Sequence, residues 1–360
     1  MGIQIEYLPF AALNRQPPSW QDKVLGVVSF GDSADDLKGR HLHGHIPELY
    51  LGAPVLGGSQ LASEALLVDS LTTEIGQPLI SDKRGQIRYR LSEHLLFGVI
   101  NLDDSPEFTK PGVANAIPAL QQVTEIAYHQ IFTLLDELGY SHVYRFWNYM
   151  TDINGNSGDQ EGLERYRQFN IGRKNVFVHV GREQGQQLPA ACALGLRTGP
   201  LSIAFLAGKN QAVAIENPRQ VKAYHYPEQY GPLTPSFSRA TLAQIGQQLC
   251  LFISGTASIV GHETLHAGDI VGQTNETLVN LEAVVSEANR IQGGPVFDLS
   301  NACLRVYVRH AADLDSIRET LQNHFNNQVK AVFVQADICR EALLIEIEAT
   351  LQQAITAHSA

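Results

Sequence analysis

The chain has 360 residues, of which 44% are hydrophobic and 18% charged, and its formal net charge at pH 7 is −11. This composition is typical of a globular protein of one or two domains and excludes a disordered chain. The acidic balance argues against nucleic acid or an acidic membrane as a partner, because both select basic surfaces. A negatively charged ligand would therefore need a local cluster of arginines.

The cysteines and the opening residues bear on the cellular compartment. The four cysteines are scattered with no CxxC pair, so neither a zinc site nor a disulfide framework is predicted. The first ten residues lack the basic and apolar stretches of a secretory signal, and no apolar run approaches the roughly 20 residues that span a membrane. We therefore expect a cytoplasmic protein.

In the N-terminal part, short apolar runs predict strands and a longer periodic run predicts a helix. The strands are expected at 24–30, 64–68, 87–89 and 143–150. The helix is expected over 118–138, since its apolar residues recur on one face and Gly139 can end it.

The C-terminal part repeats this order of elements. It predicts a strand at 249–253, a glycine-punctuated loop at 255–272, a helix capped by Asn275 or Thr277 and ended at Gly293, a strand at 303–308, a helix at 314–325, and strands at 331–339 and 343–349. Arg145 and Arg305 occupy equivalent positions when the two parts are overlaid, although two ordinary α/β units could resemble each other by coincidence. We predict an N-terminal half over 1–215, a proline-rich connecting segment over 216–240 and a C-terminal half over 241–360.

The last apolar strand, LLIEIEA, carries two carboxylates. Alternation places Glu346 and Glu348 on one face of the strand. A tight hairpin turning near residues 342–343 would set Cys339 opposite Glu346. Burial there would raise the pKa of the carboxyl and suit it to general acid catalysis. The alternative is that both carboxylates face solvent on an ordinary amphipathic strand.

Arginines cluster in both halves. They are Arg145, Arg165, Arg167 and Arg173 in the first and Arg305, Arg309, Arg318 and Arg340 in the second. Arg145 and Arg305 are interior to apolar strands, where a guanidinium can bind a carboxylate through two hydrogen bonds. A structural ion pair is the alternative for any single one of them.

Two loops have the composition of ligand-binding segments. Glycines of the loop at 252–269 allow backbone amides to turn towards a ligand. His262, Glu263 and His266 of that loop resemble a metal motif superficially, but a glycine-rich loop replaces the helix that such a motif requires, so no metal site is predicted. The segment 223–240 is rich in tyrosines and hydroxyls, which suits a polar ring-shaped ligand or a packed connector.

The C-terminal half resembles the RidA/YjgF family, and the whole chain resembles the chorismatases built on that fold. The first resemblance rests on FISGTASI, Gln273, the YVR strand and the closing IEIEA; the second rests on RFWNYMTDIN, ERYRQFNIGR, ENPRQVKAYHYP, YGPLTPSFSRA, SGTASIVGHET and ICREALLIEIEA. The implied fold class is α/β, with two related RidA/YjgF-like (chorismate mutase-like) α+β halves, internally duplicated, with mixed sheets and helices packed on one face of each.

The resemblance implies cleavage of chorismate to pyruvate and a cyclic acid, in the first place 3-hydroxybenzoate with 4-hydroxybenzoate as a companion, without a metal or cofactor. It implies that Glu346 protonates the enolpyruvyl methylene and that Cys339 favours hydroxybenzoate formation. The implied substrate-binding residues are Arg145, Arg165, Arg173, Tyr224, Arg239, Gly255, Thr256, Ala257 and Arg309.

Three alternatives stay open at this level: a chorismate hydrolase that forms a dihydroxycyclohexadiene carboxylate, an imine deaminase like the smaller relatives, and a non-catalytic binder. The deaminases' signature arginine would fall near Ala331, where none exists. The first half is expected to lack the carboxylate, because its corresponding strand is taken to be 190–194. The smaller relatives form trimers, which leaves a homo-oligomer open.

Overall fold

A computed structural model describes most of the chain. The described residues are 2–13, 15–31, 45–57, 63–68, 80–105, 117–156, 163–183, 185, 188–328 and 330–355. The strands are β1 (Ile3–Leu8), β2 (Val24–Gly31), β3 (Glu48–Gly52), β4 (Val55–Gly57), β5 (Ser63–Val68), β6 (Ile80–Arg84), β7 (Ile87–Leu91), β8 (Leu95–Leu102), β9 (His142–Thr151), β10 (Ala190–Leu196), β11 (Leu201–Gly208), β12 (Val213–Ile215), β13 (Ala240–Ile245), β14 (Gln248–Thr256), β15 (Ile259–Val260), β16 (Glu263–Thr264), β17 (Cys303–Val308), β18 (Lys330–Gln335), β19 (Asp337–Ile338) and β20 (Ile345–Ala354). The helices are α1 (Phe10–Leu13), α2 (Pro18–Gln21), α3 (Ala119–Leu138), α4 (Arg165–His179), α5 (Ile270–Gln292) and α6 (Leu314–His324).

Two large mixed sheets have the same internal topology. The first has the order β19-β10-β9-β11-β8-β7-β6 and the second β12-β13-β14-β20-β17-β18-β4. In each, two parallel neighbours (β9 with β10, β17 with β18) are followed by a last strand that inserts antiparallel beside the first of them. The predicted fold class, an internally duplicated α/β protein with mixed sheets, is therefore confirmed. The boundaries at 215/216 and 240/241 stay a prediction.

The strand that corresponds to β20 in the first half is β11, and the assignment to 190–194 was wrong. β11 lies between β8 and β9 as β20 lies between β14 and β17. In the registers, Ala204 of β11 pairs with Trp147, and Glu346 of β20 pairs with the equivalent Tyr307. The first half therefore has a methyl group at the position of the Glu346 carboxyl.

The helices lie on the outer faces and the two sheets pack against each other through their inner faces. Phe146 of β9 points into the core beneath α3 and α4, while its neighbour Trp147 points into the core between the sheets. Tyr144 and Phe252 stack across that inner core, 6.3 Å apart between ring centroids. A smaller sheet of order β1-β5-β2-β3 covers part of the same inner core.

The second long helix begins earlier than predicted. Asp269, and neither Asn275 nor Thr277, caps α5 by accepting a hydrogen bond from the Gly272 amide at 3.0 Å. The end at Gly293 is as predicted, in a left-handed conformation at φ 76°. Among the described helices, none combines the length and the apolar character needed to cross a bilayer.

The predicted C-terminal hairpin was wrong. β18 pairs with β17 and β4, whereas β20 inserts between β14 and β17. Between them, β19 leaves the second sheet and pairs with β10 of the first, at Leu194 with Ile338 and Gly195 with Asp337. The order of strands in the sheet is set by pairing between strands distant in sequence, which local sequence patterns do not predict.

Candidate active site

A cavity of about 600 Å³ lies where the two halves meet. The N-terminal end of α4, the connecting segment, the turn after β14 and the segment between β19 and β20 form its walls. The side chains that carry chemistry are Tyr166, Tyr226, Tyr230, Arg239, Cys339, Arg340 and Glu346. A cavity of this size fits a small organic ligand.

Glu346 lies on the inner face of β20 and is only 4% exposed. Its neighbours Ile345 and Ile347 point into the helix-covered core, so the predicted alternation is confirmed and the solvent-facing alternative is excluded. Burial and the nearby Glu348 raise the pKa of the Glu346 carboxyl to about 8, against an opposing effect of Arg239. The carboxyl is therefore protonated at neutral pH.

The chain passes close to this carboxyl because residue 255 has no side chain. A Cβ atom on Gly255 would overlap Oε1 of Glu346. The glycine that the sequence suggested for backbone contact with a ligand thus first of all makes room for the acid.

Glu348 has the opposite electrostatic surroundings although it shares a strand face with Glu346. Its carboxylate forms an ion pair with Arg145 and accepts hydrogen bonds from Tyr307 and, at 3.0 Å, from Trp147 Nε1. Burial opposes ionisation, but the nearby arginines, with Arg145 first, lower the pKa of Glu348 below its usual range. One carboxyl of the pair is kept neutral and the other charged.

Cys339 borders the cavity near Glu346, although the two residues are not opposite each other in a hairpin. Burial and the Glu346 carboxyl raise the pKa of the thiol to about 12. The side chain is therefore a neutral thiol, a weak donor that fills space, and not a thiolate nucleophile.

Three arginines line the cavity: Arg167, whose Nε lies 3.3 Å from Glu164 Oε2, and Arg239 and Arg340, which hold their positions through carbonyl and tyrosine contacts. Arg239 donates through Nη2 to the Val221 carbonyl at 2.9 Å and to the Tyr226 hydroxyl at 2.8 Å. Arg340 donates to the His262 carbonyl at 2.8 Å, and its guanidinium lies 4.1 Å from the ring centroid of Tyr230. Each guanidinium has five N–H donors, so Arg239 and Arg340 both retain donors for an anionic ligand.

Of the predicted site residues, the structure brings Glu346, Cys339, Arg239, Gly255 and Ala257 to the cavity. The others lie outside its lining; they are Arg145, Arg165, Arg173, Tyr224, Thr256 and Arg309.

The residues outside the cavity make contacts within the protein instead. Arg165 pairs with Asp104, Tyr224 faces Glu216, and the Thr256 hydroxyl donates to the Ser254 carbonyl at 2.8 Å. Arg309 donates to the carbonyls of Leu343, Ile338 and Arg340 at 2.7, 2.9 and 3.0 Å, and so holds the segment that carries Cys339.

The sequence pointed to Tyr226 and Tyr230 only as part of a tyrosine-rich segment and to Arg340 only as one of a cluster of arginines, and it did not point to Tyr166 or Phe237; all five line the cavity. The tyrosine content of the connecting segment and the arginine cluster were signals for Tyr226, Tyr230 and Arg340. Tyr166 and Phe237 had no local signal, because only the packing of α4 against the connecting segment brings them to the cavity.

The histidines of the loop after β14 do not converge on one point. His262 faces Tyr230, with 3.1 Å between Nδ1 and the hydroxyl, and His266 Nε2 lies 3.6 Å from Glu276. Across the part of the chain that the structure describes, no three acidic, histidine or cysteine side chains cluster as metal ligands.

Beside the Arg167–Glu164 ion pair and the acids Glu263 and Glu341, the cavity offers the neutral Glu346 carboxyl, a neutral thiol and the guanidinium groups of Arg239 and Arg340. A neutral carboxyl can donate a proton to an electron-rich carbon, and the guanidinium groups can bind carboxylates. The arrangement suits acid catalysis on a small anionic substrate.

Known proteins resemble this chain along nearly its whole length. Residues 73–207 match the family "Chorismatase FkbO/Hyg5-like, N-terminal". A 3-hydroxybenzoate synthase of Streptomyces hygroscopicus is 40% identical over 261 residues, which are 70% of this chain and 75% of the relative. A chorismatase of the same organism is 36% identical over 357 residues, covering 97% of this chain and 95% of the relative.

A solved structure agrees with these sequence matches. A chorismatase crystal structure superposes with a TM-score of 0.81 at 28% identity, covering 97% of this chain and 98% of the other. The described fold, the cavity with its buried acid and the full-length sequence match all lead to one conclusion: the chain belongs to the chorismatase family.

Proposed function

We propose that this enzyme cleaves chorismate to pyruvate and 3-hydroxybenzoate by acid catalysis. The observation that carries the proposal is the buried Glu346 carboxyl, whose pKa of about 8 keeps it protonated at neutral pH beside two arginines. The name of the relative with 40% identity, a 3-hydroxybenzoate synthase, supports the product.

Arg239 and Arg340 bind the two carboxylates of chorismate. Both line the cavity and keep unused donors, and a dianionic substrate needs local positive charge in a chain with a net charge of −11. Tyr226 lies between them, 5.6 Å from the Arg239 guanidinium and 5.3 Å from that of Arg340. The aromatic ring fixes both cations in place without neutralising either.

Glu346 starts the reaction by giving its proton to the methylene carbon of the enolpyruvyl group. The electron pair of that double bond forms the new C–H bond and leaves an oxocarbenium ion, which the Glu346 carboxylate stabilises. The ring's own hydroxyl then attacks the neighbouring ring carbon that carries the cationic group. The new C–O bond forms as the bond to the pyruvyl oxygen breaks, pyruvate leaves with that oxygen, and the hydroxyl proton passes to the Glu346 carboxylate. Opening of the resulting epoxide with loss of a ring proton gives the aromatic acid, and the two products together contain the atoms of chorismate. Attack by water would consume one water molecule and give the diol.

The direct test is incubation of the purified enzyme with chorismate in the presence of EDTA. We expect pyruvate and 3-hydroxybenzoate in equal amounts, followed together by chromatography. In D₂O the pyruvate methyl group should carry one deuterium, delivered by Glu346. A non-aromatic diol would contradict the product, and absence of pyruvate would contradict the whole proposal.

Replacement of the acid tests its role. We expect Glu346→Gln to lower kcat about 10²- to 10⁴-fold, since the amide cannot deliver the proton. Glu341→Gln is the matched control, because Glu341 also borders the cavity but is exposed. Full activity of Glu346→Gln would show that another group protonates the substrate.

Cys339 governs the product by occupying space beside the cation, where a neutral thiol keeps water away. We expect Cys339→Ala to form more of the water-derived diol while pyruvate release falls less than threefold. Unchanged product ratios on chromatography would remove this role from Cys339.

The cytoplasm is the proposed location. All four cysteines, Cys192, Cys250, Cys303 and Cys339, are free thiols, which is typical of a reducing compartment. A homo-oligomer stays a prediction, and light scattering on the purified enzyme tests it.

A further inference from the structure

Three polar residues of α4 form a line that runs from the protein interior to the cavity. Tyr166, Asn170 and Arg173 are four and three residues apart, so they lie on one face of the helix. Tyr166 borders the cavity, whereas Asn170 and Arg173 are 2% and 1% exposed. None of the three takes part in the acid step described above.

The arginine fixes the orientation of the asparagine. Nη2 of Arg173 donates to Oδ1 of Asn170 at 2.9 Å, and a guanidinium can only donate. Burial raises the pKa of the Tyr166 hydroxyl, and the Asn170 side chain opposes this rise as a hydrogen-bond donor beside it would; the donor that Asn170 has free is its amide nitrogen. The Tyr166 oxygen therefore accepts, and its own proton is left for another partner.

At the interior end of the line, hydrogen bonds are also donated away from Arg173. Burial raises the pKa of the Tyr128 hydroxyl, Arg173 opposes this rise as a nearby hydrogen-bond donor would, and that hydroxyl donates to Oδ1 of Asn148 at 2.7 Å. Asn148 in turn donates through Nδ2 to the Cys192 carbonyl at 2.8 Å. All these bonds are donated outward from Arg173, so the orientation of Asn170 cannot reverse without setting donor against donor.

Tyr166 keeps its proton under all working conditions. Burial, together with the Cys339 thiol and the Glu346 carboxyl, raises its pKa well above the usual value for a tyrosine. The side chain is therefore a neutral hydrogen-bond donor at the cavity and not a base.

We propose that Tyr166 is a further substrate-contacting residue, which donates its hydroxyl proton in a hydrogen bond to an oxygen of chorismate on the side of the cavity bordered by Glu346 and Cys339. Asn170 and Arg173 are positioning residues that keep this proton available. The inference rests on the proposed function, because it assumes that chorismate is the substrate. The sequence suggested Arg173 as a direct ligand of the substrate. In this proposal the buried Arg173 instead acts on the substrate through Asn170 and Tyr166.

Two variants test the line from different ends. Tyr166→Phe removes the hydroxyl, and we expect kcat/KM for chorismate to fall about tenfold, the size of one lost hydrogen bond. Asn170→Asp keeps the tyrosine and can pair with Arg173, but its second carboxylate oxygen accepts the Tyr166 proton. We expect the same fall of about tenfold, and no further fall in the double variant, because both changes remove one donor.

Binding without turnover separates this inference from the proposed function. In the Glu346→Gln background, calorimetry measures the dissociation constant of intact chorismate, and we expect Tyr166→Phe to raise it about tenfold. Tyr144→Phe is the control: it removes a buried hydroxyl that donates to the Asn210 carbonyl at 2.9 Å, away from the cavity. It should leave the dissociation constant unchanged.

The outcomes are distinct. Changes within twofold for Tyr166→Phe in both kcat/KM and the dissociation constant would overturn the inference. If Tyr166→Phe and Asn170→Asp each lowered kcat/KM tenfold and the two losses multiplied in the double variant, Asn170 would not act through Tyr166. A wild-type enzyme that binds chorismate but releases no pyruvate would contradict the proposed function, while the dissociation constants would still decide the role of Tyr166.

Discussion

Glu346 and Glu348 are two residues apart on one strand face, and their different surroundings predict the pH dependence of the enzyme. Because burial raises the pKa of Glu346 to about 8, the acid is present below that pH and lost above it. We expect kcat to fall about tenfold per pH unit above about pH 8, measured by pyruvate release. A constant kcat up to pH 10 would mean that a different group donates the proton.

The same pKa predicts a change in stability. The folded enzyme retains a proton on Glu346 between about pH 5 and pH 8, where the unfolded chain has released it, so the free energy of unfolding decreases as pH rises through this range. Relative to Glu346→Gln, we expect the wild type to lose about 1.4 kcal/mol per pH unit in urea unfolding. Parallel pH curves for the two proteins would contradict the burial of a neutral carboxyl.

Gly255 is the residue where backbone shape and chemistry are most directly linked. We expect Gly255→Ala to lower kcat at least tenfold, since the added methyl group overlaps the Glu346 carboxyl and displaces it. Gly294→Ala is the control, because its Cβ atom would enter open space. Normal turnover by Gly255→Ala would show that the acid tolerates another position.

The sequence predicted the acid better than it predicted the arginines. The alternation in LLIEIEA was enough to place Glu346 on one strand face. Arg145, by contrast, has the strand context of a ligand-binding arginine but pairs with Glu348, about 200 residues further along the chain. A residue's partner at that separation is a property of the fold, so composition alone could not distinguish Arg145 from Arg239.

At the scale of elements, the strands β5, β9, β17 and β20 are joined by one buried ionic network. Glu348 pairs with Arg145, and Arg305 pairs with Glu64 and lies 3.7 Å from Glu348. We expect Glu348→Gln to lower the free energy of unfolding by about 3–5 kcal/mol, because it leaves a buried arginine without its counter-charge. Urea unfolding measures this loss.

The control for that measurement is an exposed pair on a helix. Glu287 and Arg290 of α5 form such a pair, with 2.7 Å between Glu287 Oε2 and Arg290 Nε. Glu287→Gln should leave the urea midpoint unchanged, because water screens the exposed charges. Equal effects of the two substitutions would show that burial does not strengthen the inner network.

Periodicity predicted the long helices well, since each has one apolar face and ends at a glycine. It could not predict which strands are neighbours. The hairpin expected between β18 and β20 fails because β20 forms its hydrogen bonds with β14 and β17, both far away in sequence. Local patterns report which face of a strand is apolar and contain no information about the strand beside it.

At the scale of the molecule, neither half is complete alone. The second sheet takes β4 from the N-terminal part, the first takes β19 from the C-terminal part, and both halves line the cavity. We expect residues 241–360 expressed alone to expose the inner sheet face, to be cleaved rapidly by protease and to release no pyruvate from chorismate. An active fragment would contradict a site built by both halves.

The pairing of β19 with β10 has a mechanical consequence. Leu194 and Gly195 hold Ile338 and Asp337, and the next residue, Cys339, borders the cavity. A rotation of one half against the other would have to break these backbone hydrogen bonds before it widened the cavity. The pairing of β10 with β19 therefore holds the two halves in a fixed relative position. We therefore expect hydrogen exchange at the backbone amides of β19 to be slower than in the connecting segment that carries Tyr226 and Tyr230.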